Sequence, residues 1–510
     1  MPFDEQNRGN PFEGDFAGRP GQEPWGELAA GVHRQVAELT RRRYDPSIRH
    51  ERLRILQQRR APLSADSGPP GGAAADGGQG TSAPGGPAAG GAAEGGTAVG
   101  QPGAGAAGGA GDEVTQFDFP PVAVGFDSLF VRGELLISTE SYDGLPGQAG
   151  AGQYRTARKY LEALGMQVSE VGCAELSGRV LRLTHTEMSP RELANVARVL
   201  RRRGFTASLS NITPTGPIGK AIGGPLPAPS PGSYQPGSCP GTPAKVAIID
   251  TGIAAESRPD GWLRDITRDG NIDPLDRLPL PAGDGYLDFD AGHGTFVAGI
   301  VQHIAPDAEI KVYRAMGSDG IAPEVRVACE MIRAVKDGAQ ILNLSLGCQT
   351  HDNIPPIAIR AALDVIGELE REQDRSVLIV AAAGNYADTT PCWPGAFGRV
   401  VSVAALASDL QPTPWSTRGF WVTCSTIGQG LRSTYVEGRE SPLLDPVPHE
   451  FGPDAWAVWS GTSFAAPQLT GALARLHDRG EPLGDTLRRL LRAGRPIPDF
   501  GYALKILPGI

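Results

Sequence analysis

Aromatic residues supply only 6% of this 510-residue chain and charged residues 20%, somewhat below the roughly 25% charge of typical soluble domains. That shortfall fits folded units diluted by neutral linker. There is no basic surplus, because 47 Lys+Arg against 57 Asp+Glu leave a net charge of -10. A surface built to hold nucleic acid or anionic lipid is therefore not expected. No stretch approaches the ~20 uninterrupted apolar residues of a membrane span. The opening residues MPFDEQNRGN hold no apolar run of the kind a secretory signal needs. The expectation is a cytoplasmic chain whose cysteines are thiols. Its six cysteines, Cys173, Cys239, Cys329, Cys348, Cys392 and Cys424, show no C-x-x-C spacing, which removes the ordinary zinc and redox motifs.

What is present is unevenly spread. Between Gly68 and Gly111 there are 18 Gly and 13 Ala in 44 residues, too few apolar side chains to offset chain entropy by burial. Residues 63–116 therefore read as a Gly/Ala-rich linker, and residues 1–24 as a disordered tail. Residues 25–62 form a basic, helix-prone segment with Leu28, Val32, Val36 and Leu39 near helical spacing, and Pro46 predicts its division into two short helices. Its mixed charge and scarcity of aromatics favour a solvated element packing weakly on its own chain over a nucleic-acid contact.

From 117 to 212 the pattern changes. Residues 130–209 alternate short apolar runs with helical stretches in the order β-α-β-β-α-β, and Ser189 with Glu192 forms a capping box that Gly204 closes. A small ferredoxin-like α+β domain is predicted. A Pro/Gly-rich linker is expected over 213–243. Beyond Lys245, near-continuous apolar runs such as KVAIID, ILNLSLG and SVLIVAAAGN alternate with helical segments. This predicts an α/β unit over 244–510, a parallel sheet with helices on both faces and its working loops at the carboxyl ends of the strands.

Four motifs fall at those ends. Asp250-Thr251-Gly252 follows a strand, Gly292-His293-Gly294-Thr295 opens a helix, Ala383-Gly384-Asn385 ends a strand, and Gly461-Thr462-Ser463 opens another helix. Acyl transfer needs a nucleophile, a base, a group that orients the base, and an oxyanion donor. Ser463 at a helix N-terminus, His293, Asp250 and Asn385 supply one of each. A lone D-T-G also marks aspartic proteases, but no second copy occurs. The serine does not stand in G-x-S-x-G and comes last in the chain, unlike an α/β-hydrolase. Asp269, Asn271 and Asp273 imitate part of a calcium loop without its Gly and distal Glu, and read as an acidic surface insert.

DTG, HGTFVAG, AAGN and GTSFAAP in this order resemble the subtilisin-like serine proteases across residues 244–480. The resemblance implies a serine endopeptidase with Asp250, His293 and Ser463 as triad and Asn385 as oxyanion donor. It also implies that Ser345, Leu346 and Gly347 form an edge for substrate backbone, with Gly317–Gly320 opposite. Phe296 and Phe464 depart from residues common in the family. No cofactor is implied for the chemistry, and structural calcium has no assignable ligands. Peptides or proteins are the implied substrates. Residues 130–209 resemble the inhibitory prodomains that precede many such enzymes, so intramolecular inhibition is expected. A latent protease-like binding or regulatory module is the alternative. Cys348 and Cys392 are implied to wall one pocket, which makes them the pair expected to link on oxidation, to the exclusion of others.

Overall fold

The computed structural model describes residues 25–41, 122–125, 128–143, 156–215, 224–236, 243–278, 283–443, 445, 447–477 and 482–509. The expected tail, Gly/Ala-rich linker, Pro46 break and Cys239 lie outside these residues.

The described part of the basic segment is the helix α1 (Trp25–Arg41). It is not merely solvated, because Leu28 and Val32 are buried against Leu226 and Val458, with Val36 packed beside them. The side chain of Leu39 lies outside the described set. The following unit runs β1 (Val122–Gly125), β2 (Ser128–Ser138), α2 (Thr139–Asp143), α3 (Arg158–Ala163), β3 (Gln167–Glu170), β4 (Val180–Thr184), α4 (Pro190–Arg202) and β5 (Ala207–Pro214). Its sheet has the order β3-β4-β2-β5, with antiparallel neighbours throughout and β1 beside β2. The capping box at Ser189 and Glu192 opens α4 with both reciprocal bonds made. Leu193, Ala197 and Leu200 of α4 bury against Leu135, Ile137 and Leu209 of the sheet, as the i, i+4, i+7 spacing of the helix requires.

The strand β6 (Leu226–Ala228) leads to the larger unit: β7 (Lys245–Asp250), α5 (His293–Ile304), β8 (Glu309–Arg314), β9 (Ile321–Pro323), α6 (Glu324–Lys336), β10 (Ile341–Leu344), α7 (Ile357–Gln373), β11 (Leu378–Ala382), β12 (Val401–Leu406) and β13 (Cys424–Ile427). It continues through β14 (Leu431–Thr434), β15 (Gly438–Arg439), β16 (Glu450–Phe451), β17 (Trp456–Trp459), α8 (Thr462–Leu476), α9 (Leu483–Ala493), β18 (Arg495–Ile497) and β19 (Gly501–Ala503). The main sheet has the order β18-β19-β13-β12-β11-β10-β7-β8, parallel except where β18 meets β19. Along β7, Val246 and Ile248 enter the core under α5 and α8, while Ala247 and Ile249 enter the core under α6 and α7. That is the two-faced burial that produces near-continuous apolar strands.

The two units share a core, since Leu136, Val171, Leu176 and Val180 pack with the residues of α6 and α7. They also share a covalent link. Cys173, in the turn between β3 and β4, forms a disulfide with Cys329 of α6, with Cα atoms 5.9 Å apart across a sequence separation of 156. This overturns the expectation of six thiols and of linkage confined to Cys348 and Cys392. Those two are buried thiols, although their segments do meet, Cys348 pairing through its backbone with Trp393. Spacing along the chain could not reveal a pair that only domain docking brings together. Among the described residues no helix is long and apolar enough to cross a membrane.

Candidate active site

Asp250 ends β7 and is fully buried. Its Oδ1 accepts the Thr251 N–H at 2.8 Å and faces His293 Nδ1 at 2.7 Å. His293 is the first residue of α5, behind Gly292 in the left-handed region at φ 81°. A side chain at Gly292 would also press on Tyr435 and Val436, so glycine is required there on two counts. Burial works to lower the His293 pKa, but the charge and hydrogen bond of Asp250, aided by Asp290 and Asp273, raise it above its ordinary value. The ring packs edge-on to Trp459 and beside Phe464, which in turn stacks with Phe296 at 4.6 Å. The two phenylalanines thus form the apolar wall behind the imidazole.

Of the three residues expected on a surface insert, Asp269 is exposed, but the other two are not surface residues. Asn271 and Asp273 are buried, and Asp273 Oδ2 accepts from Thr251 Oγ1 at 3.0 Å and from the Gly292 N–H at 2.9 Å. Asp273 therefore ties the loop after Asp250 to the residue before His293. The partial calcium-loop pattern marked Asp273, but not for this role.

Ser463 is the second residue of α8 and is buried. Its Oγ donates to the Thr215 carbonyl oxygen at 3.0 Å. Asn385 follows β11, and its Oδ1 accepts the Thr462 N–H at 3.0 Å and the Thr462 hydroxyl at 2.9 Å. With Oδ1 committed, Nδ2 is the end left to donate. The Thr462 hydroxyl also accepts the Gly384 N–H, so the first turn of α8 fixes the asparagine.

Of the three residues after β10, Gly347 donates its N–H to Pro214 O at 2.9 Å. Ser345 instead donates its hydroxyl to the Ser463 carbonyl at 2.6 Å, and Leu346 is buried in the core with α6 and α7. On the opposite side β9 pairs antiparallel with β5, Ile212 facing Pro323, Thr213 facing Ala322 and Pro214 facing Ile321. The Thr215 N–H continues the ladder to Gly320 O at 2.9 Å. Thr213 and Pro214, expected to begin a linker, are strand residues flanked on both sides, and the chain lays Thr215 at Ser463.

Glu324, opening α6, is fully buried between the units. Its Oε1 accepts from the backbone and side-chain nitrogens of Asn211 at 2.9 and 2.7 Å, and its Oε2 from the Ala358 N–H. Burial, opposed by these bonds, pushes its pKa up to about 7. His351 lies at the same boundary beside Arg198.

Among the described residues, Glu440, Asp445 and His449 have donor atoms close enough together to hold a metal ion. An imidazole in so small a set suits a transition metal better than calcium, which takes six to eight oxygens, so the donor set does not fit the calcium left open above.

Residues 241–490 match the model of the Subtilase family (Peptidase_S8). The chain is 28% identical over 250 residues to a thermophilic serine proteinase of Bacillus sp. (strain AK1), covering 46% of this chain and 52% of that protein. It is 27% identical to thermitase of Thermoactinomyces vulgaris, covering 47% of this chain and 77% of that one. It thus spans about half the length of the first relative. Among solved structures it is similar to fervidolysin from Fervidobacterium pennivorans, 19% identical over 74% of this chain and 60% of that one, with a TM-score of 0.48. The order of the four motifs, their gathering at one end of the parallel sheet and the family match agree: residues 241–490 of this chain belong to the subtilase family.

Proposed function

We propose that the chain is a serine endopeptidase held latent by its own residues 130–215, and that its first substrate is its own Thr215–Gly216 bond. The observation that carries this is the Ser463 hydroxyl 3.0 Å from the Thr215 carbonyl, at the end of a strand bonded on both sides. In this reading Ser463 Oγ attacks the Thr215 carbonyl carbon as His293 takes the hydroxyl proton. Asp250 holds the Nδ1–H tautomer and stabilises the imidazolium. Asn385 Nδ2 and the Ser463 N–H in the first turn of α8 donate to the oxyanion. The C–N bond then breaks, His293 returns the proton to the Gly216 amine, and water releases the Thr215 carboxylate from the acyl-enzyme.

The sheet order β3-β4-β2-β5 with two helical connections, the first made of α2 and α3 and the second of α4, supports reading residues 130–215 as a ferredoxin-like inhibitory domain. Filling of the cleft by β5 is also what favours latency over open activity.

The test combines intact-protein mass spectrometry with a fluorophosphonate probe. The expected result is a fragment ending at Thr215 and a probe adduct on Ser463, both lost in Ser463→Ala. Cleavage that persists in Ser463→Ala under conditions free of other proteases overturns the assignment.

A further inference from the structure

A Gly/Ala-rich segment separates α1 from everything after it in sequence, yet α1 reaches the strand that delivers the nucleophile. Helices in proteins are stabilised mostly by packing of an amphipathic face, and the neighbours of α1 supply it. Leu28 and Val32 bury against Leu226 and Val458. Gly31 allows this approach, because a Cβ there would lie 2.4 Å from a Leu226 methyl. On the same face Gln35 is wholly buried. Its Nε2 donates to Gly224 O at 2.7 Å and to Val458 O at 3.1 Å, and its Oε1 accepts the Ser460 hydroxyl at 2.7 Å. Ser460 Oγ in turn accepts the Gly430 N–H at 3.0 Å.

These bonds reach the site through β17. Side chains alternate faces along a strand, so Val458 faces α1 while Trp459 lies against His293 and Phe464. Ser460 stands three residues before Ser463, and Gly461 between them donates its N–H to Gly428 O. Gln35 therefore grips the chain on the far side of the strand whose next residues set both the imidazole wall and the start of α8.

We infer that Gln35 is a positioning residue for the catalytic apparatus, acting from α1 through Val458 and Ser460 on the placement of Ser463. Solvent cannot replace its three hydrogen bonds at full burial, and misplacement of a reacting group by about 1 Å costs on the order of 10²-fold in rate. The inference rests on the reading of Ser463 as nucleophile.

The experiment follows self-processing after Thr215 in the full chain refolded from denaturant, across a pH series, for wild type, Gln35→Met, Ser460→Ala, the double variant and Leu28→Ala. Gln35→Met keeps the side-chain length and removes every polar contact. Its plateau rate should fall on the order of tenfold to 10²-fold, with the pH midpoint set by His293 unchanged. Ser460→Ala should lower the plateau in the same direction, and the double variant should add little to Gln35→Met because the two act through one contact. Leu28→Ala lowers melting temperature through packing alone and should keep the wild-type plateau. A Gln35→Met chain that processes at the wild-type rate, or a rate loss that tracks melting temperature equally in Leu28→Ala, overturns the inference. Should Gln35→Met fail to refold, an unchanged rate in Ser460→Ala overturns it alone. A wild type that never cuts after Thr215 instead refutes the proposed function and is distinguished by that result.

Discussion

Cleavage after Thr215 would divide the chain into two fragments, and the Cys173–Cys329 disulfide spans that cut, since Cys173 precedes it and Cys329 follows it. The inhibitory domain should therefore remain attached after processing, released only when a dithiol reduces the bond. Before cleavage, closing a separation of 156 residues stabilises the folded chain by about 5 kcal/mol in the chain-entropy account. After cleavage the bond acts as a linker that holds β5 near the cleft at an effective concentration on the order of mM. In an assay at ~10 nM, cutting the tether lowers that concentration by about five decades, or ~7 kcal/mol of lost advantage. The ion pairs Arg179–Glu368 and Arg201–Asp352 across the same boundary are partly exposed and should offset little of it. The assay compares the processed protein on denaturing gels with and without reductant, and follows peptide hydrolysis after dilution with and without dithiothreitol. The expected result is one non-reduced species that splits on reduction, with activity rising in wild type but already high and insensitive to dithiothreitol in Cys173→Ser/Cys329→Ser. Fragments that separate without reductant, or wild-type activity indifferent to it, would refute the reasoning.

Three further outcomes follow from the site. His293 must be neutral to act as base, and its pKa is raised, with burial opposing and Asp250 favouring the charged form; activity should be present above and lost below an acid-limb midpoint higher than the ordinary ~6.5, and a kcat/KM profile with its midpoint below 6 speaks against the Asp250–His293 coupling. Gly320 sits at φ 71°, and a Cβ there would come within 2.1 Å of Asp290 Oδ2 and 2.6 Å of Thr215 Oγ1, so Gly320→Ala should slow cleavage after Thr215 on the order of 10²-fold, checked by the fragment time course. Burial raises the Glu324 carboxyl to about 7 from 4.5; a raised acid favours docking most below its ordinary value and less as pH rises through about 7, so the reduced, processed fragment should leave faster at pH 8.5 than at pH 6, and Glu324→Gln should flatten that difference in a dissociation-rate measurement.

The α/β class and the four motifs were legible because each depends on local pattern. Two-sided burial writes itself into runs such as KVAIID, and glycines beside Asp250, His293 and Ser463 answer to backbone geometry at those points. What could not be read depends on distant chain segments. Asp273 stood out only as part of an incomplete calcium loop, and its tie to the site was hidden because its partners Thr251 and Gly292 belong to other loops. Thr213 to Thr215 looked like linker because Pro214 and the following glycine signal a turn, whereas the strand is made by β9 and Gly347 on either side. Nothing in the sequence sets Gln35 apart from the other polar positions of the basic helix, and only docking against β17 buries it. Cys173 and Cys329 became neighbours in the same way.

Strand β5 belongs to two sheets' worth of partners, with β2 along one edge and β9 along the other. Were it to leave after the proposed cleavage, β9 would lose its cover and its unsatisfied N–H and C=O groups would face water in a row. Such an edge recruits any extended chain, which is what a peptide substrate is, but also what a neighbouring copy of β9 is. In the proposed scheme β5 is thus a solubility device as well as an occupant of the cleft. Pro323 at the end of β9 removes one donor and shortens the exposed ladder, leaving an edge wide enough for a substrate of a few residues and poorly suited to self-pairing.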